Sequence, residues 1–491
     1  MQAEKEDSTG FVKNIKKKVQ DWGSRHLWTA RLIVYGFLLL LVILVGTILF
    51  THFNLFHTDV TSARYMLSAL VQSQAAIVAI VITLTLIAVQ LTASAYSPRV
   101  IDIFKKNPDM WILLSVYGLS IFYGFIILKL VVGAEGEFVS QSVIWSLGCV
   151  SISFESYVSL AYWLGAFTFV ALFPYMLNII SLLKSENIIK RLAIEITKAK
   201  IINSEEDPIQ PIMDIIHGSI MIYDLETTRV GLKKVTKQVI EIIDLNDEEK
   251  ISNSFCAHLE RVGGLAISRE DAESTIEVSK NLENFGTSTA EKGLKDATVY
   301  AVWPLGKVGK AAAGKELEDA TKQVAMSLGE VGTAAAGKEL GGATQQVARS
   351  LGKVGKAAAE KGLENATVYA VWSLENVGKA AVGIEPENAT VLAARSLGEV
   401  GKAAAEKGLE YATVSAARSL GEVGKAAAGK GLENATQQAA GSLAELTILS
   451  EEIVKTAIHD YESKLEEKDP ESFQKFIKIY EQELEKLQAE K

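Results

Sequence analysis

The chain has 491 residues, a net charge of −9 and a mean hydropathy of +0.19. A mean this high beside 22% charged residues indicates two unlike parts, one apolar and one water-soluble. The negative charge excludes nucleic acid as a general partner, and two distant cysteines, Cys149 and Cys256, fit neither a disulfide framework nor a metal site.

Residues 1–30 form a basic N-terminal segment. Lysines lie on its other helical faces, and one face holds its apolar residues, which are Phe11, Ile15, Val19 and Trp22. This pattern is typical of an amphipathic helix on an anionic inner leaflet. The alternative is a flanking segment that only sets the topology.

Residues 31–184 contain four apolar runs, each long enough to cross a bilayer as a helix. The runs are Leu32–Phe50, Tyr65–Pro98, Trp111–Val132 and Tyr157–Leu183. The first starts too late for a cleaved signal peptide and is predicted to be a signal anchor. Val139–Phe154 is apolar but too short to cross, so it is predicted to be an interfacial or re-entrant helix.

Lysine and arginine alternate between the two sides of these crossings. Residues 1–31 carry seven of them. The loop between the first and second runs carries one, and the loop between the second and third carries three. Residues 133–156 carry none, and residues 184–200 carry five. The positive-inside rule therefore places both termini in the cytoplasm of a plasma-membrane protein. The lipid bilayer is the first expected partner.

The second run carries small and polar residues at helical spacing. With Ile87 between them, the members of this stripe are Gln72, Ala76, Ala79, Thr83, Gln90 and Ser94. Polar groups need partners within lipid, so the stripe must face another helix or water. Helix packing and a pore are the two interpretations, and we expect a homo-oligomer. The run has no charged residue in mid-membrane, which argues against a proton relay.

A motif closes this run, and it consists of Gln90, Leu91, Tyr96, Ser97, Pro98 and Arg99. It resembles the signature of a prokaryotic family of predicted four-helix membrane proteins of unknown function. A second family motif is matched by Asp207, Pro208 and Ile212. The resemblance covers about residues 30–235. It implies the four crossings and leaves the activity open.

Residues 185–261 have helical periodicity and are predicted to connect the membrane domain to an array of repeats at 262–445. After a worn copy at Val262, successive copies start 23 residues apart at Phe285, Val308, Val331, Val354, Val377, Val400 and Val423. Such regularity indicates a repeat architecture.

Each unit of the array must break its helix, because 23 residues turn an apolar face by about 140° from its starting direction. Glycines such as Gly408, Gly421 and Gly424 offer breaks, and two of them inside a helix would cost about 2 kcal/mol. The sequence therefore predicts two short helices per unit, stacked as in HEAT-like repeats. The predicted fold is all-α: a four-helix transmembrane domain plus a cytoplasmic α-solenoid of short helical repeats.

Residues 446–491 abandon the repeat and are predicted to be charged helices that cap the array. One helix is expected to start at Asp469 and Pro470. Its apolar residues recur near every 3.5 positions, which also permits a short coiled coil: Phe473, Ile477, Tyr480, Leu484 and Leu487.

The sequence holds no phosphate loop, HExxH, paired CxxC or nucleophile elbow, so we expect no enzyme and no cofactor. His52, His57 and Asp59 could bind a metal, but scattered interfacial residues explain them better and no metal is expected. The leading interpretation is an oligomeric channel or transporter-like pore with a repeat arm. The rival is a membrane-anchored scaffold or sensor whose array binds a cytoplasmic protein.

Overall fold

The structure, a computed structural model, describes residues 27–53, 60–95, 101–105, 107–133, 143–147, 150–203, 207–383, 387–465 and 470–489. It divides into two compact units, Met1–Ile188 and Ile189–Lys491. The predicted amphipathic segment up to residue 26 and the motif residues Tyr96, Ser97, Pro98 and Arg99 lie outside the described residues.

The first unit is built from long apolar helices. Its elements are α1 (Leu27–Phe53), α2 (Val60–Ala95), α3 (Ile101–Lys105), α4 (Pro108–Gly133), β1 (Val143–Leu147), β2 (Val150–Ser153) and α5 (Phe154–Leu182). Four of the helices, α1, α2, α4 and α5, are long and apolar enough to cross a membrane. The four predicted crossings are confirmed.

The prediction of a helix at Val139–Phe154 is wrong where the structure has strands, at Val143–Leu147 and Val150–Ser153. β1 and β2 pair in an antiparallel hairpin, with Leu147 opposite Val150. The reason lies in the side chains. Val143, Ile144 and Trp145 are β-branched or aromatic, and β2 alternates apolar and serine residues, a period typical of a strand.

The membrane helices pack around a small apolar core. α4 contacts α2 and α5, and α1 contacts α5. Leu67 and Ile127 are buried in this core, where Gly124 lets α4 approach Val71 closely. Large apolar side chains such as Phe122, 66% exposed, cover the outside of the bundle. A largely apolar exterior of this kind suits contact with lipid.

The second unit is a chain of helices. They are α6 (Ser185–Glu195), α7 (Lys198–Asn203), α8 (Gln210–Met221), α9 (Leu225–Ile242), α10 (Glu248–Ser268), α11 (Ala272–Glu291), α12 (Lys295–Gly314), α13 (Glu318–Gly337), α14 (Gly341–Glu360), α15 (Glu364–Ala381), α16 (Asn388–Glu406), α17 (Glu410–Gly429), α18 (Glu433–Leu449), α19 (Glu451–Leu465) and α20 (Pro470–Ala489). The predicted helical solenoid is confirmed.

Each 23-residue unit, however, is one helix rather than the two short helices predicted. The break at Gly408 is present, but Gly421 and Gly424 lie inside α17. Interior glycines persist because the neighbouring helices approach them closely. A Cβ added at Gly352 would lie 2.7 Å from the Ser396 hydroxyl, so packing across the glycines offsets their low helix propensity.

The array has two layers. Each helix from α11 to α16 packs against the next helix and against the one after it. Short turns, of three residues except between α15 and α16, make consecutive helices of the array antiparallel, whereas helices two units apart run parallel. Bonds between residues 43 to 48 positions apart hold these parallel neighbours together, for example Lys361 with Glu316 at 3.2 Å. α12, α14, α16 and α18 form one layer, called here layer A, and α11, α13, α15 and α17 form layer B.

The C-terminal helices close the array. α20 starts at Pro470, as predicted, and packs on α17 and α18. Phe476 is fully buried against Gly424, and the Tyr480 hydroxyl lies 3.1 Å from the Thr447 hydroxyl. In the described chain the apolar face of α20 therefore covers the last repeats and serves as a cap.

Candidate functional site in the membrane helices and the repeat array

The predicted stripe on α2 lies on the outer surface of the four-helix bundle. All six of its residues are exposed: Gln72, Ala76, Ala79, Thr83, Gln90 and Ser94. Two hydroxyls bond to their own helix, Thr83 to the Ala79 carbonyl at 2.8 Å and Ser94 to the Leu91 carbonyl at 3.0 Å. The stripe therefore does not line the interior of a single chain.

The two glutamines of the stripe are separated by nearly the thickness of the hydrocarbon core of a bilayer. Gln72 and Gln90 are 18 residues apart, which is about 27 Å along a helix, against about 30 Å for the hydrocarbon core. Ala75, Ala79 and Thr83 follow one another every four residues between them. Small residues at this spacing let a second helix approach closely.

Other polar residues of α2 face inward and form hydrogen bonds with neighbouring helices. Gln74 is fully buried and donates to the Ser120 hydroxyl at 2.9 Å and to the Thr168 hydroxyl at 3.1 Å. Thr85 is hydrogen-bonded to Tyr175. These contacts tie α2 to α4 and α5, so this inward face stabilises the bundle.

A cleft of about 220 Å³ lies beside this polar face. It is lined by α2, α4 and α5, with Val81, Leu86, Leu113 and Tyr117 among its residues. Nearly all of its lining is apolar, so it offers no hydrated path for ions.

A buried carboxylate holds one end of the bundle together. Asp109, at the start of α4, is completely buried and lies 3.3 Å from Arg31 on α1. Asn178 on α5 donates to Asp109 and, at 3.2 Å, to the Asn107 side chain. Three helices thus meet at one polar cluster, in which the Arg31 charge offsets that of Asp109.

This cluster was missed by the sequence reasoning, which used Arg31 only to set topology. The available signal was an acidic residue directly before an apolar run, together with an asparagine, Asn178, within another run. Neither residue reveals its partner without the fold, because they lie 69 positions apart.

The second family motif forms a polar node at the start of the second unit, in which His258 is buried and Asp207 is 37% exposed. The Asp207 carboxylate caps the Ile209 N–H at 2.9 Å and accepts a hydrogen bond of 2.6 Å from His258 Nε2. The other ring nitrogen of His258 accepts from Arg261 at 3.0 Å. Burial opposes ionisation of Asp207, but the His258, Ile209 and Ser254 hydrogen bonds outweigh it and lower the pKa of its carboxyl. This node is best explained as structural.

The turns between repeats share one design. At Gly362 the backbone is left-handed, with φ of +73°, and the Leu363 N–H bonds the Ala358 carbonyl at 2.9 Å. This is a Schellman ending, which glycine favours. Leu363 then precedes the next helix and has no side-chain oxygen with which to cap it.

A glutamate two units earlier supplies the missing cap. Glu318 accepts from the Asn365 N–H at 3.0 Å, and Glu364 accepts from the Tyr411 N–H at 3.1 Å. A carboxylate also complements the positive end of the helix dipole. The caps therefore link helices within a layer.

Exposed positions differ from unit to unit. At one of them the residues are Trp303, Met326, Arg349, Trp372, Arg395 and Arg418, which are exposed, and Gly441, which is half-buried. Exposure alone does not explain the variation, because an equally exposed turn position is lysine at Lys315, Lys338, Lys361, Lys407 and Lys430. The array keeps most of its core residues constant and changes what its exposed positions present, with one such strip of surface on each layer.

Metal ligands do not cluster in the described residues: no group of three His, Cys, Asp or Glu side chains occurs there. His52 is exposed, while His57, Asp59 and Cys149 lie outside the described chain. Cys256 is buried, and burial raises the pKa of its thiol, which makes it unreactive.

Comparisons with known proteins support the membrane half. Residues 24–218 match the model of a family described as predicted membrane protein (DUF2254), which confirms the resemblance for that segment; the array lies beyond it. No curated protein matches. A solved structure described as a circular tandem repeat protein with novel repeat topology and enhanced subunit contact surfaces matches over 88% of this chain and 99% of its own. Its identity is 14% and its TM-score 0.32, too low to carry an argument.

Proposed function

We propose that the chain is a non-enzymatic scaffold of the plasma membrane, with both termini cytoplasmic and the repeat array holding a protein partner. The variable surface position carries this proposal. In repeat proteins a constant core with varied surface residues presents an extended binding surface without altering the fold. The distribution of lysine and arginine supports the orientation.

The membrane domain in this proposal forms a homo-oligomer through the stripe on α2. The side chains of Gln72 and Gln90 face outward, and Ala75, Ala79 and Thr83 leave room for a second helix between them. A second copy of α2 would remove these polar and small residues from lipid. Several arrays would then be gathered at one place in the membrane.

Cysteine crosslinking tests the oligomer. Ala79→Cys, on the stripe, is expected to form a disulfide-linked dimer in membranes under mild oxidation. Ala88→Cys is the matched control, because Ala88 is the same residue type on the same helix but faces the bundle interior, 5% exposed. Equal crosslinking of the two variants would contradict an interface at the stripe.

A photo-crosslinking amino acid tests the scaffold. Placed at Trp303, on the variable strip, it should capture a defined second protein in intact cells; placed at Lys338, on a constant and exposed turn, it should not. Capture from both positions alike, or from neither, would count against the proposed role of the strip.

A pore is the second candidate, favoured by the polar members of the same stripe. If several copies turned Gln72, Thr83 and Gln90 toward a common axis, these side chains would line water. Flux of ions from liposomes separates the two functions. A pore requires flux that Thr83→Leu alters, whereas the scaffold requires that the unmodified protein conducts nothing.

A further inference from the structure

The outward face of layer A carries a grid of positive charge. Three adjacent helices, α12, α14 and α16, each contribute three residues at helical spacing. The nine positions, called here the cationic face, are Trp303, Lys307, Lys310, Arg349, Lys353, Lys356, Arg395, Glu399 and Lys402. Seven of the nine are cations.

The grid follows from the packing of the layer. Within a helix, steps of four and three residues separate neighbouring positions by about 6 and 4.5 Å. Between helices the equivalent positions are 46 residues apart, and axes of packed helices lie about 8–10 Å apart. The close approach of Gly306 to Ser350, and of Gly352 to Ser396, fixes this register.

The centre of the face is not neutralised by the chain itself. At its edges Lys307 pairs with Glu260 at 2.8 Å, and Lys402 pairs with Glu445. Among the described residues, the five central cations make no ion pair within 4 Å: Lys310, Arg349, Lys353, Lys356 and Arg395. Glu399 is the one acidic residue among the nine positions, and five cations held on this face without ion pairs favour an anionic partner.

Layer B provides an internal comparison. Its equivalent nine positions are Met326, Glu330, Thr333, Trp372, Asn376, Lys379, Arg418, Glu422 and Lys425. Only three of these are cations and two are acidic, and Lys379 pairs with Glu422 at 3.3 Å. The two layers share one repeat sequence pattern, so the difference lies in the surface residues alone.

We propose that the cationic face binds an acidic segment of a protein, which deepens the proposed scaffold function by naming the chemistry of its partner. Trp303 is 51% exposed at the edge of the face and packs against the Tyr300 ring at 5.9 Å. Tryptophan, tyrosine and arginine are enriched at protein interfaces. The face is about 20 Å across three helices, which fits a short segment.

Two other polyanions fit less well. Nucleic acid is bound along extended positive tracks, and the rest of this chain is acidic, with a net charge of −9 overall. Binding to an anionic membrane would not require an exposed aromatic residue beside a small patch of arginines. Both become outcomes of the test.

Binding of labelled poly-L-glutamate to the full chain tests the proposal. The protein is placed in nanodiscs of zwitterionic lipid, and fluorescence anisotropy is followed at several salt concentrations. We expect salt-sensitive binding that Arg349→Ser/Lys356→Ser weakens at least about fivefold, through loss of two charge contacts.

The matched control is Arg418→Ser/Lys425→Ser. It changes the same two positions of a unit by the same charge, but on layer B, and it should change the affinity less than about twofold. Equal losses in the two double variants would overturn the cationic face as a site. So would absence of binding, or tighter binding of phosphatidylserine vesicles or single-stranded RNA through the same residues.

A second matched pair of variants tests the role of Trp303 at the edge of the cationic face. A copolymer of glutamate and tyrosine should bind more tightly than polyglutamate, and Trp303→Ala should remove that advantage while Trp372→Ala, on layer B, retains it. The opposite result would overturn the role of Trp303. The binding assay is independent of the crosslinking test in cells. If polyglutamate binds but no partner is captured in cells, the cationic face is supported as a site and the scaffold function is contradicted.

Discussion

Three glutamates in the repeat turns adopt a left-handed backbone that glycine adopts elsewhere. Glu270, Glu316 and Glu339 have φ of 56°, 59° and 57°, at the position occupied by Gly362, Gly408 and Gly431 in other units. A side chain in this conformation costs about 1–2 kcal/mol. Glu316 has a compensating ion pair with Lys361. Glu339 is the cleaner site for measuring the strain.

Glu339→Gly should therefore stabilise the turn between α13 and α14 by about 1 kcal/mol, after allowing for the greater freedom of glycine in the unfolded chain. Slower amide hydrogen exchange in these two helices would report the gain. Gly362→Glu is the reciprocal change and should lose about as much. Unchanged exchange in both variants would contradict strain at the turn.

His217 is expected to make the stability of the second unit depend on pH. Burial lowers the pKa of its imidazole, with Arg261 and His258 adding to the effect against Asp214. The pKa of this histidine is lower in the folded protein than in the unfolded chain, where it is about 6.5. As the pH falls below that value the unfolded chain takes up the proton first, so the folded protein loses stability.

Thermal unfolding between pH 7.5 and 5.5 should show this loss, and His217→Gln should flatten the curve in that window. An identical slope in the variant would assign the pH dependence to other groups. Asp207 acts at lower pH, since its lowered pKa contributes stability that is retained near neutrality and lost as pH falls through the acid range.

At the scale of the helix, the interior glycines explain where sequence reasoning failed. A glycine pair inside a repeat looks like a break when only propensity is counted. In the array the same glycines are contact points, and the cost of low propensity is outweighed by close packing of helices two units apart. Propensity is local, but the neighbour that decides the outcome is 44 residues away, as Ser396 is from Gly352.

Gly352→Ala and Gly337→Ala test this explanation as a matched pair. Gly352 has no space for a methyl group, so the change should destabilise the array by about 1–3 kcal/mol. Gly337 has open space around it, and alanine there should stabilise by up to about 1 kcal/mol. Chemical denaturation measures both. The same sign of effect at both positions would contradict packing as the reason for the interior glycines.

The Arg31–Asp109 cluster makes a comparable prediction for the membrane helices. Arg31→Met leaves the Asp109 charge buried without its cation and should lower the thermal stability in detergent markedly, by up to about 3 kcal/mol given the partial exposure of Arg31. Adding Asp109→Asn to Arg31→Met should restore part of the loss. A double variant less stable than Arg31→Met would contradict the coupling.

At the scale of the whole molecule, the array should accept the loss of one complete unit. Deleting Val331–Lys353 joins Glu330 to Val354 in phase and merges α13 and α14 into one helix of normal length. We expect a folded protein with one helix fewer by circular dichroism. Deleting 20 residues from the same start leaves that helix three residues too long and turns its apolar face by about 300°. Equal protease resistance of the two proteins would contradict the unit.

Much of the architecture was predictable, because membrane crossings and a 23-residue period are properties of composition and spacing. The outward direction of the stripe on α2 was not. Polar residues occur on two faces of that helix, and only the positions of Ser120 and Thr168 decide that Gln74 points inward. The cationic face was equally hidden, since its rows join residues 46 positions apart that alternate with units of the other layer.

The alternation of layers has a consequence for how the array can evolve. Tyr300 and Trp303 recur three units later as Tyr369 and Trp372, and an odd number of units places the copy on the opposite side. Gain or loss of a single unit by recombination would likewise reverse the side of every residue downstream, although the fold persists. Only even steps preserve both surfaces, so the array can change length under a parity rule that its 23-residue period does not reveal.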